Sequence, residues 1–442
     1  APDPVSAPAP APAPAPKPAP KPAAKKPKLK NASAKDTASK GFPLRRRYRM
    51  DDPEAVVDVV NDILTDAIEY DVSDIHIEPY RKTARMRWRL DGVMQEQPQY
   101  QQYLIQNYAA VMARMKLMAG CDISEKRLPQ DGAITIPYQG EEVDFRFNIV
   151  PTKYGERPVL RKLQGTPDLT LDKLGFDADD YDKIIEAINA PQGMVLVTGP
   201  TGSGKSTTLF ACLQDINRPR TNILTAEDPV EYYLEGVGQV QANETIGLTF
   251  ASILRAFLRQ DPEVILVGEI RDKETVDISV KAALTGHLLL STLHTNDAVG
   301  TVVRLLNMGV PNFMIASALS LIVAQRLARK NCKSCRVPDP AATYDNLIEL
   351  GFTEEEAGSI KPVKGEGCEE CGGSGYKGRQ GLYEVMKMNK ALEKAILDNA
   401  QAPELLAAAQ TTGFKTMQEI TRHFIADGTL SLEEYQRVLV LD

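Results

Sequence analysis

Tryptophan occurs once in these 442 residues, histidine four times, and aromatic residues make up only 6%. The chain shows no basic, aromatic-lined stretch of the kind that grips single-stranded nucleic acid. No apolar run reaches the roughly 18 residues needed to cross a bilayer. The best candidate, Phe313 to Ala324, is too short and is followed by Gln325 and Arg326. There is no signal-peptide pattern and no initiating Met, so a missing upstream part is expected. Six cysteines are too few for a disulfide-rich scaffold. With 43% hydrophobic and 25% charged residues, composition also excludes a collagen-like chain or one disordered throughout.

The charge that is present is unevenly spread. Residues 1–50 hold eight Lys, four Arg and two Asp, a net +10, which leaves -17 on the remainder of a chain of net charge -7. An acidic body argues against phosphate-backbone binding. Residues 1–27 alternate Ala and Pro with scattered Lys, a composition that favours an extended polyproline II spacer. A spacer needs something at both ends, so a further N-terminal domain is expected. Arg45, Arg46, Arg47 and Arg49 suit anionic lipid or an acidic neighbour; a solvated linker end is the alternative.

The length predicts two to four domains. An amphipathic helix follows Asp52-Pro53, with Val56, Val57, Val60, Ile63, Leu64, Ala67 and Ile68 at spacings of three and four. Alternating strands follow at Asp74–Glu78 and Ala84–Leu90, with a turn at Asp91-Gly92, then a helix over Tyr103–Met118. Strands are expected around 133–137, 143–149 and 158–163. Residues 51–165 therefore read as an α+β unit, PAS-like, followed by a hinge at about 166–174. Beyond it, helices and apolar strands alternate: strands at Met194–Thr198, Asn222–Ala226, Val264–Val267 and Leu288–Ser291. That predicts an α/β fold with a doubly wound, largely parallel sheet over 175–300. Residues 301–442 read as a helical region with a cysteine-bearing insertion at about 330–375.

Gly199-Pro200-Thr201-Gly202-Ser203-Gly204-Lys205-Ser206 fits G-x-x-x-x-G-K-[ST], after a strand and at the start of a helix, and Thr207 continues it. Such a loop wraps backbone N–H groups around phosphate oxygens at a helix N-terminus. Lys205 would face the β- and γ-phosphates of ATP, and Ser206 would ligate Mg²⁺. Val264-Ile-Leu-Val-Gly268-Glu269 has a Walker B strand's apolar run, with Gly268 where the magnesium-facing Asp is usual. Glu269 is then the candidate to polarise the attacking water. Glu227 is expected to share that work, with Asp228 or Glu231 assisting the metal. His287 and His294 are seven apart, so on a strand they face opposite ways. His294 is the candidate reporter of the γ-phosphate, a structural histidine being the alternative.

Cys332-Lys-Ser-Cys335 and Cys368-Glu-Glu-Cys371 each carry two thiolates on one knuckle. Four sulfurs suit a closed, structural Zn²⁺ site. Cys121 and Cys212 lack partners by spacing and read as small buried hydrophobes.

Together these stretches resemble the secretion ATPase superfamily that powers type IV pilus assembly and type II secretion. The pieces that carry the resemblance are Val72-Ser-Asp-Ile-His-Ile-Glu-Pro79, Arg87-Trp-Arg-Leu-Asp-Gly92, Arg127-Leu-Pro-Gln-Asp-Gly132, the phosphate loop, Thr225-Ala-Glu-Asp-Pro-Val-Glu231, Leu258-Arg-Gln-Asp-Pro262, Gly268-Glu-Ile-Arg-Asp272, Ala283 to His287, His294-Thr-Asn-Asp297, and Ala324-Gln-Arg-Leu327. The resemblance implies a RecA-like core, a homo-hexameric ring, and ATP bound between subunits with arginines completing each site. Arg146, Arg161, Arg255 and Arg259 stand in the matching contexts. It further implies an inner-membrane platform protein as partner, no nucleic acid, and a cytoplasmic location at that membrane. In the family the cysteine insertion separates assembly and secretion motors from retraction motors. The stretch Leu248–Arg259 and the lead-in Asn222-Ile-Leu-Thr look more like the pilus-assembly branch, with type II secretion as the alternative. A RecA-like nucleic-acid motor and a non-hydrolysing nucleotide-binding scaffold are the rivals of other classes.

Overall fold

The computed structural model describes residues 55–163 and 170–439. The expected linker at 1–50 and residues 164–169 of the hinge region lie outside the described residues.

The N-terminal part carries β1 (Asp74–Pro79), β2 (Ala84–Leu90), β3 (Val93–Glu96), β4 (Gln130–Tyr138), β5 (Glu141–Thr152) and β6 (Gly155–Lys162) in an antiparallel sheet of order β3-β2-β1-β6-β5-β4. Two helices, α1 (Val56–Glu69) and α2 (Pro98–Met118), cover one face. Period-two alternation decides which side chains meet them. Met86 and Trp88 of β2 and Ile75 and Ile77 of β1 join Ile63 of α1 and Leu104 of α2 in one core. The intervening arginines point the other way. Glu78, almost fully buried on that second face, accepts from Arg85 at 2.9 Å, Arg87 at 2.5 Å and Arg157 at 2.7 Å.

The central sheet has seven strands in the order β15-β12-β7-β11-β10-β8-β9. These are β7 (Gly193–Thr198), β8 (Ile223–Glu227), β9 (Val237–Gln241), β10 (Val264–Val267), β11 (Leu288–Leu293), β12 (Leu319–Asn331) and β15 (Tyr376–Lys387). Every pairing is parallel except that of β12 with β15. Both faces are covered, which is why β7, β10 and β11 are buried along their whole length and read as unbroken apolar runs. Met194 and Leu196 face one core with α5 (Phe250–Phe257), α6 (Lys273–Leu284), α7 (Ala298–Asn307) and α8 (Asn312–Ala318). Val195 and Val197 face the other, with α3 (Ala178–Ile188) and α4 (Lys205–Ile216).

The region after residue 301 is helical in α8, α9 (Tyr344–Glu349), α10 (Glu354–Ser359), α11 (Lys390–Leu397), α12 (Ala402–Gln410), α13 (Met417–Ala426) and α14 (Leu432–Leu439). It also supplies β12 and β15 to the central sheet, which the sequence reading did not foresee. The apolar run Phe313–Ala324 divides between α8 and β12 at Leu319. A continuous apolar run has no period by which to tell a buried helix from a buried strand. Between β12 and β15 sit the small ribbon of β13 (Arg336–Pro338) and β14 (Val363–Gly365), the helices α9 and α10, and all four CxxC cysteines. Among the described residues, no helix is long and apolar enough to cross a membrane.

Candidate functional site

The phosphate loop lies between β7 and α4, where a parallel strand delivers its C-terminal end to a ligand crevice. Two contacts fix its shape. Gly199 has φ +140°, and a Cβ there would stand 2.3 Å from the Gln325 carbonyl oxygen of β12. The Gln325 side chain is buried beneath the loop. It donates from Nε2 to the Ser203 carbonyl at 2.8 Å and accepts the Thr208 hydroxyl at 2.9 Å. Gln325 thus joins the loop to the helix that follows. Lys205 Nζ donates to the carbonyls of Gly199 at 2.9 Å and Pro200 at 3.1 Å. Burial lowers its pKa, and the nearby carboxylates of Glu269 and Glu231 oppose that shift.

This loop opens on a cleft of about 1020 Å³. Residues 200–207, Glu231, Tyr232 and His294 line it from the central unit, and Arg146 and Arg161 from the N-terminal unit. Arg379 and Arg437 line it as well, from β15 and α14. Arg146 reaches across to donate to the Val230 carbonyl at 3.1 Å, and Arg161 pairs with Asp74 at 2.8 Å. Asp91 of the β2–β3 turn accepts from the Gly378 N–H at 3.1 Å and lies 3.6 Å from Arg379, a second link between the units.

Glu269 sits just past β10, mostly buried. His294 Nε2 approaches one oxygen at 3.1 Å, and Arg271 pairs with the other. Burial alone would raise the Glu269 pKa, but Arg271 and His294 outweigh it and hold the carboxyl below 4.5. Gly268 is packed against β8, where a Cβ would lie 3.2 Å from the Ala226 carbonyl oxygen. That crowding disfavours the Asp usual at this position. His287 Nδ1 contacts the Ala282 carbonyl at 3.1 Å, away from Glu269.

The structure separates several residues that the sequence grouped. Glu227 does not line the cleft; it is 5% exposed and accepts from Thr225 at 2.6 Å and Gln239 at 2.9 Å. Glu231 takes the place beside Lys205 instead. Arg255 pairs with Glu274, and Arg259 donates to the Arg255 carbonyl at 2.8 Å; both lie outside this cleft. Arg271, Gln325 and Arg379 carry contacts the sequence reading did not assign. The first two stand inside motifs already noted, and Arg379 lies in a strand that was not foreseen.

Cys332, Cys335, Cys368 and Cys371 converge, all four Sγ atoms within 4.8 Å of one another. Pairs lie at 3.7 Å (Cys332–Cys368 and Cys368–Cys371) and 4.0 Å (Cys335–Cys371). Tetrahedral Zn–S bonds of about 2.3 Å require S···S edges of about 3.8 Å, so the spacing fits such an ion and excludes a disulfide. N–H groups of Gly367, Cys368 and Gly375 point at the sulfurs at 3.1–3.3 Å. Gly365 and Gly375 press backbone to backbone; a Cβ on Gly365 would lie 1.9 Å from the Gly375 oxygen. Cys212 is fully buried among apolar residues, whereas Cys121 is half-buried beside the Ala119 and Asp131 carbonyls.

The model of the Type II/IV secretion system protein family matches residues 49–437. The chain belongs to that family. Among secretion-family relatives, it is 49% identical over 385 residues to the Type IV pilus assembly ATPase PilB of Myxococcus xanthus, covering 87% of this chain and 68% of that protein. It is 42% identical over 389 residues to the Type II secretion system protein E of Pseudomonas aeruginosa, covering 88% and 76%. The crystal structure of the pilus retraction motor PilT with bound ADP superposes with a TM-score of 0.57 at 28% identity, covering 86% of this chain and 96% of that one.

Proposed function

We propose that this chain is a motor ATPase that hydrolyses ATP to drive type IV pilus assembly. It would act as a homo-hexamer on the cytoplasmic face of the inner membrane, through a platform protein there. The observation that carries the reading is the meeting, in one cleft, of the Lys205 loop, His294 and arginines from the other unit, with Glu269 outside the lining and in contact with His294.

The loop amides and Lys205 bind and orient the triphosphate, and closure of the N-terminal unit excludes water around it. Ser206 would hold Mg²⁺, which supplies charge neutralisation on the phosphates. Glu269, kept ionised by Arg271, accepts a proton from the attacking water, and His294 fixes the carboxylate's orientation. Arg146 and Arg161 add positive charge where it develops on the transferred group. Arg255 and Arg259, which do not line this cleft, would serve the site of a neighbouring subunit. The four cysteines would hold Zn²⁺ as a structural clamp. Type II secretion is the second reading, favoured by the 42% identity to a protein E.

The test is phosphate release from Mg-ATP by the purified chain, followed by rescue of piliation in a strain lacking its pilus assembly ATPase. Turnover that vanishes in Lys205→Ala, together with restored pili, supports the reading. An inert wild-type chain, or turnover untouched by Lys205→Ala, overturns it.

A further inference from the structure

One buried carboxylate ties the histidine loop to the C-terminal helices. Glu384 of β15 is 4% exposed, and both of its oxygens are engaged. Oε2 accepts from the Ala298 N–H at 2.8 Å, and Oε1 accepts from the Met417 N–H at 2.7 Å. Ala298 is the first residue of α7 and Met417 the first of α13. Helix N-termini leave their first N–H groups without intrahelical partners and carry partial positive charge. The third helical N–H of each is already capped locally, by Asp297 to Gly300 at 2.5 Å and by Thr416 to Glu419 at 3.4 Å. Glu384 takes the first N–H of both helices at once.

What α7 carries explains why this matters. The helix begins one residue after His294-Thr-Asn-Asp297, the loop whose histidine meets Glu269. Inside α7, Thr301 lies 2.6 Å from the Thr295 hydroxyl and 3.4 Å from that of Thr198, the residue before the phosphate loop. The start of α7 therefore sets the position of the histidine loop against the end of β7. Burial pushes the Glu384 carboxyl up to about 7, against the pull of the two N–H groups. So costly a group is retained only where both bonds are made. Its neighbour on the paired strand is Ala324, one residue from Gln325 under the phosphate loop.

We infer that Glu384 is a positioning residue for ATP hydrolysis: by bridging the first N–H of α7 to that of α13, it holds the His294 loop in register with Glu269. This rests on the proposed ATPase reading. Glutamine at 384 keeps the shape but turns an amide N–H toward one of the two donors, so one bond is lost. At pH 8.5, where the wild-type carboxyl is ionised, kcat in Glu384→Gln should fall at least tenfold while KM for ATP and the affinity for a fluorescent ADP stay within twofold. Amide exchange across residues 294–300 should quicken at least tenfold, with residues 199–206 unchanged.

Ala298→Pro is the second variant. It removes the donor at a helix position that accepts proline, and its ring carbon displaces the Glu384 oxygen that sits 2.8 Å from the Ala298 nitrogen, so the bridge is broken and both effects should follow. Wild-type kcat in either folded variant, or nucleotide affinity lost in step with kcat, overturns the inference. So does unchanged exchange at 294–300, a readout that stands even if the wild-type chain proves inert. That inertness would sink the proposed function separately.

Discussion

His294 Nε2 and Glu269 Oε2 lie 3.1 Å apart, with Arg271 on the opposite oxygen of the same carboxylate. The pair faces Lys205 from the end of the neighbouring strands. Glu269→Gln should lower kcat by about 10²–10⁴-fold with ADP binding intact, the range of a general base. His294→Ala should cost less, because it loosens the carboxylate without removing it. Phosphate-release kinetics with a parallel binding titration separate the two.

The pKa of Glu269 carries a sign. Its folded value is depressed below 4.5. The carboxylate form is therefore present at neutral pH and is lost only as pH falls through that lowered value. A kcat profile should show no fall from this group between about pH 5 and 8. An acid limb above 5 that disappears in Glu269→Gln would contradict this.

Gln325 holds the phosphate loop from below through two bonds. Gln325→Leu leaves the Ser203 carbonyl and Thr208 hydroxyl without these partners, a cost of about 1–3 kcal/mol each. Affinity for ATP should fall by about tenfold or more, while kcat at saturation changes less. Isothermal titration checks it.

The cysteine cluster should yield one zinc per chain by elemental analysis. Cys371→Ser, or incubation with a strong chelator, should remove the metal and lower Tm by several degrees. Nucleotide binding at the Lys205 loop should persist, as a structural site would have it.

Glu434, fully buried, pairs with Arg329 and Arg437. Burial alone would raise its pKa, but the two arginines outweigh it and hold the carboxyl below 4.5. Its contribution is full above 4.5 and is lost as pH falls through the lowered folded value. Glu434→Gln should destabilise the chain by about 1–3 kcal/mol, since both guanidinium groups lose this buried charge while Arg329 keeps Glu433 at 3.5 Å and Arg437 is partly solvated. Urea unfolding at pH 7 measures it.

Much of the central sheet was legible because its strands are short, wholly buried apolar runs ending at signals such as Gly199 and Glu269. The phosphate loop and the paired CxxC motifs were legible because their chemistry lies in local spacing. What escaped depended on distant partners. β3 has four residues, too few to show alternation. β9 is a half-exposed edge strand with a glycine inside it. β12 hid in an apolar run shared with α8. Glu227 and Glu231 stand in one motif, and only tertiary packing puts one beneath Gln239 and the other beside Lys205. Gln325 acts on a segment 122 residues away, and Glu384 on one 86 and another 33 residues away.

The antiparallel rungs of β12 and β15 end at Asn331 opposite Tyr376. Everything from Cys332 to Gly375 is a detour that leaves the sheet and re-enters it through that single doorway. The ladder places no demand on how long the detour is. A relative with a tight turn there would keep the same rungs under its phosphate loop, so the cysteine knuckle can be gained or lost whole while the engine beneath it stays the same.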